Sequence, residues 1–177
     1  MADVIAAGKP ACELLDGTLV RRPQIPFWTS VLSVSFSCSV LGFVRANNLG
    51  IVTNTLAPKE IRPGTVRVSD VVFTSWGRLP GRRIPRESVA AIVPDITTEF
   101  LREGHTAGEM SRKRGEYFRA GVRLVWEIDP RARTVRVYTA ADESVELTAG
   151  DTLTGGDVLP GFVLPLGQLF AEPDRHG

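Results

Sequence analysis

The 177-residue sequence predicts an α/β fold, a mixed β-sheet flanked by helices, in one domain spanning residues 1–177. Three observations carry this. Thr65–Phe73, Pro94–Leu101 and Val122–Asp129 are apolar runs of strand length. Between the second and third lies Thr106–Ala120, which has helix signals at both ends. Further short strands precede and follow, so the order reads β-β, α, β-β-β, α, β-β-β, that of a sheet covered by helices.

In Cys12–Arg22 two short apolar runs flank Asp16-Gly17, a hairpin turn signal. Phe27–Asn47 carries conflicting signals. Leu32–Val40 alternates apolar residue and serine, a strand period, but the segment is too long for a strand and Asn48 with Gly50 supplies a stop. A helix is expected. Ile51–Leu56 reads as a strand and Pro58–Gly64 as a turn-rich connection. Thr65–Phe73 reads as one strand with Val66, Val68, Asp70 and Val72 on one face. Thr74–Glu87, rich in Arg, Gly and Pro, is a loop, and Pro94–Leu101 is a second central strand. Thr106 and Glu109 form a capping box for the following helix, which Gly121 stops. Val122–Asp129 is a buried strand, Pro130–Arg133 a turn, Thr134–Thr139 a returning strand and Ser144–Leu147 an edge. Leu159–Phe170 closes the chain with one helical turn.

Apolar residues at 43% and charged residues at 23% exclude a disordered, collagen-like or coiled-coil chain. Cys12 and Cys38 lie far apart with no CxxC pair, which supports neither a zinc ribbon nor a disulfide framework. A reducing cytoplasm is the expected setting. The net charge of +1 gives no global basic footprint of the kind many nucleic-acid binders show. Lys9, Lys59 and Lys113 are the only lysines among 21 basic residues, and lysine does chemistry that arginine does not. Met1–Cys12 lacks the features of a signal peptide. Phe27–Val44 is uncharged and just long enough to cross a membrane. Its Thr29, Ser30, Ser33, Ser35, Ser37 and Ser39 make it a poor span, and no membrane association is expected. No GxGxxG, P-loop or GxSxG motif occurs.

Two acids break the apolar strand pattern. A carboxylate at Asp70 is costly in that position unless it is paired or binds a metal. Metal binding and pairing with an arginine at a strand end weigh equally. Glu99 repeats the anomaly, sharing a face with Asp95, Thr97 and Leu101. Asp95 is a poor partner, because four residues of strand separate the two by about 13 Å. Asp70, on a neighbouring strand, is the best placed, and two such acids facing one cavity suit a hard divalent cation. In the helix after Glu99, Lys113 and Arg114 both border the inward face, and geometry does not choose between them. Met110, Tyr117 and Phe118 read as core. His105 and His176 lack partners at metal-ligand spacing and read as surface.

Ser69-Asp70-Val71-Val72-Phe73, Thr98-Glu99-Phe100-Leu101, Thr106-Ala107-Gly108-Glu109-Met110 with Lys113 and Tyr117, Gly121 to Trp126, and Asp129-Pro130 resemble, in this order and spacing, the putative restriction endonuclease family. That family is abundant in cyanobacteria and planctomycetes and belongs to the PD-(D/E)XK nuclease superfamily. The closing Leu159-Pro160-Gly161-Phe162 matches as well; the resemblance runs from about Glu13 to Phe170, and the domain core from about 12 to 170. It implies a restriction-endonuclease-like α/β core in which Asp70 and Glu99 are the metal-binding acids. The usual lysine two residues after the second acid would fall at Leu101. In this family it has moved into the helix, where Lys113 matches it. Glu13 matches an N-terminal acid that assists the metal. Ser69 stands where the family usually has proline, Thr98 replaces an apolar residue, and the His-Gly pair is absent around Ile25–Trp28.

The activity so implied is Mg²⁺-dependent (or Mn²⁺-dependent) hydrolysis of DNA phosphodiesters by an endodeoxyribonuclease. Asp70, Glu99 and the Phe100 carbonyl would hold the cation, and Lys113 would orient water and stabilise the transition state. Arg78, Arg82, Arg83 and Arg86 are the candidate phosphate contacts, the alternative being a solvated loop. DNA is the expected partner, together with a second copy of the chain in a homodimer. Two rivals stand beside this reading. One is a non-catalytic DNA-binding or regulatory domain that retains the fold. The other is an interaction protein that self-associates through Phe27–Val44. In the metal-free protein, repulsion between Asp70 and Glu99 is expected to raise at least one of their pKa values.

Overall fold

The computed structural model describes residues 12–54 and 59–175, so Lys9, Leu56, Pro58 and His176 lie outside the described residues. Asp16 and Gly17 both take positive φ, 48° and 82°, the conformation a two-residue hairpin demands. Cys12–Leu15 (β1) therefore returns as Thr18–Arg21 (β2). Phe27–Ala46 forms helix α1, as expected. Leu32, Phe36, Val40 and Val44, spaced every four residues, make one buried ridge on it. Two of the serines between them solve their polarity locally: Ser37 Oγ donates to the Ser33 carbonyl at 2.7 Å and Ser39 Oγ to that of Ser35 at 3.0 Å. The apolar-serine alternation is thus read on a helix, not a strand. Phe27 and Val34, off the buried ridge, are exposed.

The helix stop works differently from expectation. Asn48 takes the left-handed conformation at φ 49°, while Gly50 begins the strand Gly50–Asn54 (β3). A Cβ at Gly50 would lie 2.1 Å from the Thr74 carbonyl oxygen, so glycine permits the close pairing of β3 with Val71–Ser75 (β6).

Two expectations are corrected upstream of β6. The connection Pro58–Gly64 contains a strand, Lys59–Arg62 (β4). Thr65–Phe73 is not one strand but two, Thr65–Arg67 (β5) and β6, in different sheets. β5 pairs with β1 and β4; β6 pairs with β3 and with Ile96–Phe100 (β7). At the crossing, the Val68 N–H donates to Glu13 Oε1 at 3.0 Å and the Asp70 N–H to the Thr98 carbonyl at 3.0 Å. The apolar run stays buried throughout, which is why it reads as continuous.

β7 and Leu124–Asp129 (β8) are parallel neighbours joined by helix α2, Ala107–Ala120. Thr106 caps α2 by accepting from the Glu109 N–H, and Gly121 ends it at φ 101°. Thr134–Ala140 (β9) and Glu143–Thr148 (β10) extend the sheet to six strands, ordered β10-β9-β8-β7-β6-β3. A strand that the sequence reading lacked, Thr152–Gly155 (β11), pairs with Leu159–Pro165 (β12), and Leu166–Ala171 (α3) follows.

The two faces of the sheet differ. On one, α1 packs against Ile96, Phe100, Trp126 and Ile128, with the Phe36 ring edge-on to Phe100 and Trp126 at 5.9 and 5.8 Å. On the other, α2 packs Tyr117 beside Val122, Val125 and Tyr138. Strand alternation sends Glu99 to this second face. The fold is the expected α/β architecture, a mixed sheet with helices against it.

Candidate active site

Lys113 and Tyr117, one helical turn apart on α2, reach the same carboxylate. Lys113 Nζ lies 2.9 Å from Glu99 Oε1, and Tyr117 Oη donates to that oxygen at 2.7 Å. Ser69 Oγ is 2.9 Å from Tyr117 Oη, a contact that a proline at position 69 could not make. Lys113 Nζ is also 3.0 Å from Glu13 Oε1 of β1. Arg67 of β5 donates through Nη1 to Glu13 Oε2 at 2.6 Å and through Nε to Glu116 Oε2 at 2.7 Å.

Among the described residues, Arg22, Arg102 and the Phe100 N–H hold Asp70. Arg22 Nη2 reaches Oδ1 at 2.9 Å, while Arg102 Nη2 and the Phe100 N–H reach Oδ2 at 2.5 and 2.8 Å. Arg22 Nη2 also lies 3.7 Å from Glu99 Oε2, so Asp70 and Glu99 face one another across a single nitrogen. Arg102 Nε donates to the Phe100 carbonyl at 3.2 Å. Glu13, Asp70, Glu99, Lys113 and the Phe100 carbonyl are therefore gathered at one place, and all four side chains are buried. Of the two readings of Asp70, the structure displays the arginine-paired one.

The electrostatics follow from that pairing. Burial raises the pKa of Asp70, but Arg22 and Arg102 outweigh it and hold the carboxyl below its ordinary value. Burial likewise opposes ionisation of Glu13, and Lys113 and Arg67 overcome it, bringing the pKa down to about 2. Glu99 is the exception. Burial, with the charges of Asp70 and Glu13, raises its pKa against the pull of Lys113 and Arg22. One raised acid of the pair was the expectation; the main cause is desolvation rather than repulsion. Tyr117 is pushed well above 10 by burial and by Glu99, so it stays a donor.

Other expected residues lie elsewhere. Arg114 turns away from Glu99, donating to Glu127 Oε1 at 2.8 Å with its guanidinium 4.1 Å from the Tyr138 ring centre. Leu101, where the usual lysine would fall, is half-buried. Arg78 sits at the opposite end of β7 from Glu99, donating to Asp95 Oδ1 at 3.2 Å and to the Gly121 carbonyl at 2.7 Å. Those bonds tie the loop to the sheet. Arg82 lies over the Trp76 ring, and Arg83 and Arg86 are exposed. His105 is half-buried rather than on the surface, and burial with Arg102 and Lys113 lowers its pKa to about 4.

Four residues of the cluster escaped the sequence reading: Arg22, Arg102, Tyr117 as a polar group, and Lys59. Lys59, on β4, is buried, and its pKa falls to about 8 because desolvation exceeds the pull of Glu99. The scarcity of lysine was the available signal, since Lys59 and Lys113 both feel the charge of Glu99. Nothing local marks Arg22 or Arg102 among eighteen arginines.

A family model described as Uma2, putative restriction endonuclease, matches residues 3–167. The chain belongs to that family. The crystal structure of a putative nuclease belonging to DUF820 from Anabaena variabilis ATCC 29413 superposes with a TM-score of 0.81. Identity is 20% over 93% of this chain and 92% of that one, a likeness of fold. No curated protein matches the chain.

The Uma2 site can be tested against a divalent cation on its own atoms. Among the described residues no group of three or more His, Cys, Asp or Glu side chains is arranged for a metal. The donor set is instead two carboxylates, Asp70 and Glu99, with the Phe100 carbonyl, all hard oxygen, and Mg²⁺ commonly takes one or two carboxylates. Among the described residues, none donates a hydrogen bond to the buried Glu99 Oε2, which lies 3.7 Å from the Arg22 nitrogen that also holds Asp70. These residues fit a hard cation, in competition with the guanidiniums already on them. A cleft of about 400 Å³ opens beside the Uma2 site, with Arg102, Arg114, Arg131 and Arg136 in its lining.

Proposed function

We propose that this chain is a divalent-cation-dependent nuclease that hydrolyses DNA phosphodiesters in the cytoplasm. The observation that carries the reading is the Lys113 ammonium 2.9 Å from Glu99, with Asp70 facing Glu99, on the fold shared with the DUF820 protein. Asp70, Glu99 and the Phe100 carbonyl would hold Mg²⁺ or Mn²⁺, with Glu13 assisting through Lys113. Bound there, the cation supplies polarisation of the phosphoryl oxygen and a more acidic water. Lys113 positions the attacking water through Nζ and stabilises negative charge on the pentacovalent phosphorus. Glu13 and Glu99 hold that ammonium in place. Tyr117 fixes the Glu99 carboxylate, and Ser69 fixes Tyr117. Phosphate contacts fall to Arg131 and Arg136, which share the cleft lining with Arg102.

The test is cleavage of supercoiled, linear and single-stranded DNA in Mg²⁺, Mn²⁺ and EDTA. Wild type cleaves at least one form with cation and none in EDTA, and Asp70→Asn and Lys113→Ala lose cleavage. DNA retention without cleavage in either cation would replace this reading with the non-catalytic DNA-binding domain. The exposed Phe27 and Val34 of α1 favour a second, compatible role in pairing with another copy of the chain. Light scattering on the purified protein reads that directly, and a monomer at all concentrations ends it.

A further inference from the structure

Two buried arginines stand on the same atoms that the proposed cation would use. Arg22 touches Asp70 Oδ1 and approaches Glu99 Oε2; Arg102 touches Asp70 Oδ2 and the Phe100 carbonyl. Between them they meet every member of the oxygen donor set. Their two positive charges equal the charge of one divalent cation, so exchange leaves the carboxylates compensated. Arg67 provides the contrast. It is equally buried, lies between Glu13 and Glu116, and is absent from the hydrogen bonds and ion pairs of Asp70, Glu99 and the Phe100 carbonyl, so its role is structural.

Arg22 and Arg102 are also placed to leave. Arg22 follows β2 and Arg102 follows β7, outside strand and helix. Arg102 Nη1 is 3.3 Å from the Pro23 carbonyl, which couples the two segments. Arg102 borders the 400 Å³ cleft, where a displaced guanidinium meets solvent and incoming phosphate. The planar guanidinium fork matches a phosphate as well as it matches a carboxylate.

We propose that Arg22 and Arg102 are resident counter-ions of the Asp70–Glu99 pair, yielding that place to a divalent cation and turning to the phosphates of a nucleic acid. Cation and polyanion then bind cooperatively, each raising the affinity for the other. This rests on the cation-dependent reading above, and the test separates the two. Mn²⁺ affinity is measured by electron paramagnetic resonance on full-length wild type, Arg22→Gln, Arg102→Gln, Asp70→Asn and, as control, Arg114→Gln. Each is measured alone and with a short phosphorothioate DNA duplex that resists cleavage. Circular dichroism checks folding; if Arg22→Gln does not fold, Arg102→Gln carries the reading.

Without DNA, the Arg22 and Arg102 variants bind Mn²⁺ about tenfold or more tighter than wild type, Arg114→Gln is unchanged, and Asp70→Asn loses binding. The duplex tightens Mn²⁺ binding to wild type and does so less in the Arg22 and Arg102 variants. Wild type that binds Mn²⁺ while neither arginine variant binds it tighter overturns the counter-ion proposal and leaves the nuclease reading intact. Failure of every form to bind Mn²⁺, with or without duplex, overturns both.

Discussion

Tyr117 donates its hydroxyl to Glu99 Oε1 at 2.7 Å, the oxygen that also takes the Lys113 ammonium. A buried carboxylate with a raised pKa depends on such donors to ionise. Tyr117→Phe keeps the ring in the α2 face of the core and deletes the hydroxyl, and with it the bonds to Glu99 and Ser69. The expected outcome is a loss of about 2 kcal/mol in urea unfolding, the scale of a hydrogen bond to a charged group. DNA cleavage falls with it. Unchanged stability and cleavage would show that Lys113 alone satisfies Glu99.

Lys113 and Arg114 are adjacent in sequence and opposite in consequence. Lys113→Ala strips both Glu13 and Glu99 of a cation, and cleavage drops by roughly 10²-fold or more, the scale of a positioned proton-handling group. Arg114→Ala breaks the pair with Glu127 and the Tyr138 stack, and is expected to change stability while cleavage persists. Comparing initial cleavage rates of the two variants decides which residue serves the site.

Glu13 sets an acid limit. Its folded-state pKa of about 2 lies below the ordinary value of 4.5, so its ionised form stabilises the fold above pH 4.5. That contribution, about 3 kcal/mol, is lost as pH falls from 4.5 toward 2. Glu13→Gln should therefore be less stable than wild type at pH 7, with the gap narrowing toward pH 2. Urea titrations at pH 7, 4 and 3 check it, and a gap independent of pH would mean that packing rather than charge is lost.

Lys59 works in the opposite direction. Its folded-state pKa of about 8 lies below the ordinary 10.5, so the unfolded chain holds a proton that the folded one has released between those values. Stability should rise with pH across that window by about 3 kcal/mol. Lys59→Met should abolish the rise. Thermal melts from pH 7 to 10 measure both proteins, and parallel curves would assign the alkaline behaviour to another group.

The sequence by itself determined the parts of this protein whose causes are local. Asp16-Gly17 admits a tight hairpin, Thr106 and Gly121 bound α2, and the alternation in Ile96–Phe100 puts Glu99 opposite the α1 face. Family resemblance added the choice of Lys113 over Arg114. Only the tertiary structure decided the rest. Thr65–Phe73 is locally one strand, and it divides at Asp70 because its halves find partners in different sheets. Arg22, Lys59 and Arg102 come from three separate segments, and each is an ordinary basic residue until Asp70 or Glu99 is buried beside it. Burial makes an unpaired carboxylate costly, and which cations compensate it depends on long-range packing, so the charge partners become legible only once the chain has folded.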